Sequence, residues 1–165
     1  MNDKVLVAGI GNIFLGDDAF GVEVAQRLAA RPLPDGVTVV DFGIRSYDLA
    51  YALMDPWDLV ILVDALPGEG KPGTLYIMEP ELPANDDAPA SLDAHTMNPV
   101  AALQMVSALG GKVGRMLVVG CEPASVEADD SGEIGLSAPV RAAVEEAVRM
   151  VEELIVRERT YVIAS

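Results

Sequence analysis

The chain has 165 residues, 51% of them hydrophobic and 22% charged, which is the composition of a globular protein and, at this length, of a single domain spanning 1–165. Twenty-six acidic against eleven basic residues leave a formal charge of −15, a field that repels phosphate backbones, so no nucleic-acid partner is expected. The longest aliphatic run, 59–63, falls far short of the roughly 18–20 residues of a membrane span, so no membrane partner is expected either.

In chain order, residues 4–9 (KVLVAG) form a short β-branched run ending in glycine, which reads as a buried strand. A loop over 10–18 leads to Phe20, Val24 and Leu28, which recur at helical spacing up to about Arg31, where Pro32 and Pro34 stop the helix. Residues 37–41 are the second strand, and Ser46 is placed to cap a short helix carrying Leu49 and Leu53. The segment 58–64 (DLVILVD) is continuously apolar, as expected of a strand buried on both faces. The next run, 73–78 (GTLYIM), follows too soon for a parallel crossover, so it should be an antiparallel edge strand.

Residues 79–96 are acidic and proline-containing. Asn98 and Pro99 then look like an N-cap and first helical residue, opening a helix that ends at Gly110. Residues 116–120 are the last strand. Val140, Val144, Val148, Val151 and Ile155 keep one face of a long C-terminal helix apolar. Alternating strands and helices predict an α/β three-layer sandwich with a twisted, mostly parallel sheet of about five strands and helices on both faces. Ligands of such sheets bind outside the carboxyl ends of the parallel strands.

Chemistry is therefore sought after Gly9, Asp41, Val63 and Gly120. The Gly9-Ile10-Gly11 turn looks like a dinucleotide fingerprint, but the third glycine of GxGxxG would fall on Phe14, and no GK[ST] triplet exists. Asp17 or Asp18 could simply cap the helix beginning near Ala19, and Asp64 could simply initiate a turn. Together, however, Asp18 and Asp64 end or follow adjacent parallel strands. Two carboxylates about 5 Å apart repel by roughly 3 kcal/mol at an effective dielectric near 20, which a shared proton or a divalent cation relieves.

His95, the only histidine, would complete an O,O,N ligand set suited to zinc, nickel, iron or manganese. Cys121 is the only cysteine; no internal disulfide is possible, which fits a reducing, cytoplasmic compartment. Residues 1–3 lead straight into the first strand without the basic and apolar regions of a signal peptide. With Glu122 beside it, Cys121 reads as a small buried thiol rather than a nucleophile. No serine lies in a GxSxG elbow, and the Asp86-Asp87 and Asp129-Asp130 pairs read as solvated loops. A carboxylate dyad sharing one proton would need only Asp18 and Asp64.

The ordered segments 5–21 (VLVAGIGNIFLGDDAFG), 58–65 (DLVILVDA), 93–100 (DAHTMNPV), 118–127 (VVGCEPASVE) and 135–137 (GLS) resemble the hydrogenase maturation proteases. That resemblance implies an α/β sandwich and an endopeptidase that removes the C-terminal extension of a nickel–iron hydrogenase large-subunit precursor after nickel insertion. It implies further that Asp18, Asp64 and His95 serve as catalytic and metal-contacting residues, that the nickel is carried by the substrate with another divalent metal able to take the same site, and that the enzyme is a monomer. Asp17 is the neighbouring member of the acidic pair. Ala19, Thr96 and the 41–44 loop depart from the common pattern, which bears on loop shape and choice of hydrogenase. A non-catalytic metal-binding accessory protein of hydrogenase assembly would use the same trio.

Overall fold

The computed structural model describes residues 4–80, 99–124 and 135–164. Among them, five strands, β1 (Val5–Ile10), β2 (Val37–Gly43), β3 (Leu59–Ala65), β4 (Leu75–Met78) and β5 (Met116–Cys121), form one sheet in the order β2-β1-β3-β5-β4. All neighbours are parallel except β4, which pairs antiparallel with β5. The expected antiparallel edge strand is therefore present, starting two residues later than the composition suggested. Its connection is too short for a crossover, and the returning chain meets β5 head-on: Gly73 N–H donates to Glu122 O at 2.8 Å and Glu122 N–H donates to Thr74 O at 2.9 Å.

Among the described residues four α-helices cover the sheet: α1 (Phe20–Ala29), α2 (Ser46–Leu53), α3 (Pro99–Ala108) and α4 (Ala138–Ala164). The period-two alternation of the strands sorts the core into two layers. Val5, Val7, Ile61, Val63, Leu117 and Val119 pack with α1 and α4. Leu6, Ala8, Ile10, Val60, Leu62 and Val118 pack with α2 and α3. The central strands β1, β3 and β5 are buried along their whole length, which is why they read as continuous apolar runs. No helix among the described residues is long and apolar enough to cross a membrane.

Helix α1 comes unusually close to the sheet at two glycines. A Cβ on Gly21 would overlap the carbonyl oxygens of Val63 and Ile10, and one on Gly9 would overlap Gly21 O and crowd Ala25 Cβ. Backbone at these positions cannot retreat without moving a strand, so Gly21→Ala is expected to destabilise the fold by about 3 kcal/mol, measured by urea denaturation.

Three local expectations are corrected. Neither Asp17 nor Asp18 caps α1: a single 3-10 turn (Gly16–Ala19) carries both, and the N-cap of α1 is Ala19, with no side-chain cap. Ser46 is the first residue of α2 rather than its cap, and Arg45, at the cap position, makes no side-chain cap bond. Helix α1 ends at Ala29, two residues before Arg31. The proposed Asn98 cap, His95 and the Asp86-Asp87 and Asp129-Asp130 pairs lie outside the described residues.

Candidate functional site

The strand order reverses at β1: the chain passes from β1 to β2 on one side and returns to β3 on the other. Such a switch point opens a crevice at the carboxyl ends of β1 and β3. Asp18 follows β1 through the 3-10 turn, and Asp64 is the penultimate residue of β3. Both carboxylates therefore stand at this crevice.

Asp64 is only 4% exposed. Burial raises its pKa well above the usual carboxylate range, and the Asp18 charge raises it further, while a hydrogen bond with the Ala65 backbone works in the opposite direction. The coupling means that the two carboxylates sense each other through poorly solvated surroundings. Asp64 is more enclosed than a fully open metal site would make it.

Asp18 is half-buried and held from its own loop: Asn12 N–H donates to Asp18 Oδ2 at 2.8 Å. Asn12 also accepts from Phe14 N–H through Oδ1 at 2.9 Å, so one asparagine shapes the turn and orients the carboxylate. Gly11 is indispensable to this geometry, since a Cβ there would overlap Asp18 O, and its φ of +150° suits glycine.

Asp17, adjacent in sequence, does something different. Its carboxylate is 2% exposed and accepts three hydrogen bonds: Ser137 N–H at 2.6 Å, Ser137 Oγ–H at 2.8 Å and Ala124 N–H at 2.8 Å. It ties the 3-10 turn to the chain after β5 and to the approach to α4. Removing it leaves several buried donors unsatisfied, so Asp17→Ala is expected to cost about 3 kcal/mol of stability in chemical denaturation.

Two further residues went unrecognised in the sequence as parts of this edge. Ser137 and Glu122 fall within segments that carried the resemblance, yet nothing in their spacing announced a role. Glu122 is buried at 5% exposure; its Oε1 accepts Gly68 N–H at 2.8 Å and its Oε2 accepts the Tyr76 hydroxyl at 3.2 Å. It fastens the β3–β4 connection beside the crevice.

Cys121 is fully buried. Desolvation, then the charges of Asp17 and Glu122, push its thiol up to about 11, so it stays protonated and inert near neutral pH.

Among the described residues no three His, Cys, Asp or Glu side chains cluster as a metal site; the third donor expected here, His95, lies outside them. Helix α3 begins at Pro99, four residues after His95, and packs against the same face of the sheet as Val60 and Leu62, the face Asp64 shares by alternation.

A doubly wound α/β sheet with two carboxylates at its switch point is the arrangement of an α/β protein whose ligands bind outside the carboxyl ends of the strands. The family described as hydrogenase maturation protease matches residues 22–154. The chain is 32% identical to the coenzyme F420 hydrogenase subunit delta of Methanothermobacter thermautotrophicus, over 90% of this chain and 92% of that protein. It is 29% identical to the hydrogenase 2 maturation protease of Escherichia coli, over 90% and 88%. Among solved structures, the maturating endopeptidase HybD of Escherichia coli superposes with a TM-score of 0.69 at 30% identity, covering 94% of this chain and 93% of that one. A hydrogenase 2 maturation peptidase from a Thaumarchaeota archaeon gives 0.70 at 32% identity, covering 93% and 98%. The chain belongs to the hydrogenase maturation protease family, and it is a peptidase of that class.

Proposed function

We propose that this protein cleaves a C-terminal extension from the large-subunit precursor of a nickel–iron hydrogenase after nickel has been inserted, with Asp18, Asp64 and His95 contacting the nickel that the precursor brings. The observation that carries the reading is the placement of Asp18 and the buried Asp64 together at the switch-point crevice, where burial first and the Asp18 charge second make a bare Asp64 carboxylate unfavourable. A cation between them would offset both effects at once. His95 is the one imidazole the chain can add, and two carboxylate oxygens with one neutral ring nitrogen suit nickel, and equally zinc, iron or manganese. The names of the relatives, which are hydrogenase maturation proteases and a hydrogenase subunit, support the choice of substrate.

In the cleavage itself, water adds to the carbonyl carbon of the scissile amide, the carbon–nitrogen bond breaks, and a proton passes to the departing amine. Asp17, Asn12 and Gly11 act on this chemistry only by fixing the turn that presents Asp18. A buried, protonated Cys121 takes no part as a nucleophile, and as the single cysteine of the chain it is compatible with the reducing cytoplasm, where we assign the reaction.

The test is mass spectrometry of a purified, nickel-loaded large-subunit precursor after incubation with the protein. Loss of one C-terminal peptide from the loaded precursor, and none from the metal-free precursor, is the expected result. A nickel-loaded precursor that is bound but returned at its original mass would establish the non-catalytic accessory role instead.

A further inference from the structure

Aromatic and aliphatic side chains gather in the open on one flank of the crevice. Phe14 is 72% exposed and Ile13 49%, both in the loop between β1 and Asp18. Ile44 is 55% exposed and Tyr47 62%, in the β2–α2 connection and the first turn of α2. Because β2 lies beside β1, these two loops are neighbours at the same carboxyl edge, and Gly11 N–H donates to Gly43 O at 3.0 Å, joining them directly.

Neither loop is loosely held. Phe14 and Leu15 donate their N–H groups back to Asn12, Asp18 N–H closes onto Leu15 O at 3.1 Å, and Arg45 donates through Nε to Phe42 O and through Nη2 to Asp41 O. The local charges are used internally as well, since Arg45 also reaches Asp48 at 3.3 Å and Gln26 Nε2 donates to Asp41. What the flank offers a partner is therefore apolar, pre-organised and rich in aromatic area, the character of the energetic centre of a protein–protein contact.

We propose that Ile13, Phe14, Ile44 and Tyr47 form the surface on which the folded part of the large-subunit precursor docks through an apolar patch of its own, setting which precursor is accepted. The proposal rests on the processing reading above. The contiguity decides the occupant: the Ile13-Phe14 loop and Asp18 share Asn12 as a hydrogen-bonding hinge, so a polypeptide brought to the Asp18–Asp64 crevice of this endopeptidase must lie against the loop. A contact made by rings and aliphatic chains also spares the partner any need to match the −15 charge of the enzyme.

Two measurements on the full-length protein test this, with Phe14→Ser as the probe, Phe14→Leu as the conservative variant and Leu109→Ser as control. Leu109 is 48% exposed after the end of α3, in the connection that enters β5 at its amino end, away from the carboxyl ends of the strands. In the first, retention of the uncleaved, metal-free precursor on immobilised protein should weaken about tenfold in Phe14→Ser, recover in Phe14→Leu and stay unchanged in Leu109→Ser. In the second, KM for the nickel-loaded precursor should rise about tenfold with kcat held within about threefold, while the melting temperature is unmoved because the ring is exposed. Unchanged retention and KM in Phe14→Ser, or no retention of the precursor by the wild type, overturns the docking surface. A precursor that is retained through Phe14 but never cut overturns the processing reading and leaves the docking surface standing.

Discussion

Asp64→Asn is expected to abolish processing while making the metal-free protein more stable at neutral pH. The two effects have one origin. The Asp64 carboxyl is buried beside the Asp18 charge and its pKa is raised, so the native state holds a proton that the unfolded chain releases near pH 4. Where the native state binds more protons, stability falls as pH rises. The favourable contribution is thus complete below about pH 4 and is lost as pH climbs toward and through the raised folded value. Asparagine has no proton to lose, so the wild type and the variant should melt together near pH 4 and diverge above it. The variant should then melt higher at pH 7, by about 2–4 °C for each kcal/mol recovered. Processing of the nickel-loaded precursor should meanwhile fall below about a hundredth, because disturbing even the groups that orient a metal contact costs about 10–100-fold. Carboxylates kept buried and mutually repelling for function carry this stability–activity trade. A variant that melts lower than the wild type at pH 7 would show that Asp64 is stabilised rather than strained in the free enzyme.

The second large effect separates histidine from cysteine in one cleavage assay. His95→Ala removes the only imidazole, the one neutral nitrogen ligand available near neutral pH. Cleavage of the nickel-loaded precursor should collapse while stability in chemical denaturation changes by no more than about 0.5 kcal/mol. Cys121→Ala should behave in the opposite way. Its thiol is fully buried in the layer beneath α1 and α4, so a small cavity costs about 1 kcal/mol, yet cleavage continues, since the thiol is held protonated with a pKa of about 11. A dead cysteine variant beside an active histidine variant would refute recognition of the metal by the Asp18, Asp64 and His95 trio.

The layers, the strands and their direction were written in the sequence because each rests on a local or periodic signal. Residues 58–64 are apolar without interruption because β3 is covered on both faces. The valines of α4 recur every three or four residues because one stripe of that helix meets the sheet. The direction of β4 followed from the length of one connection. Family membership was legible for the same reason: glycines and carboxylates keep a fixed order along the chain.

The different work of Asp17 and Asp18 was decided by the tertiary structure alone. The residues are adjacent and chemically identical, and only a 3-10 turn, which advances about a third of a revolution per residue, sends one carboxylate inward to Ser137 and Ala124 and leaves the other with Asn12 at the crevice. The partners of Asp17 lie 107 and 120 residues away in sequence, beyond any periodicity. Glu122 is likewise defined by Gly68 and Tyr76, residues it meets only when β4 folds back on β5. Phe14, noticed in the sequence only as standing where a third fingerprint glycine would fall, is exposed to solvent because the Asn12 turn, shaped by a glycine whose Cβ would strike Asp18, holds it there. Pattern specifies which surfaces must be buried; which of two equal side chains is buried depends on the direction of a single turn and on what distant backbone it meets.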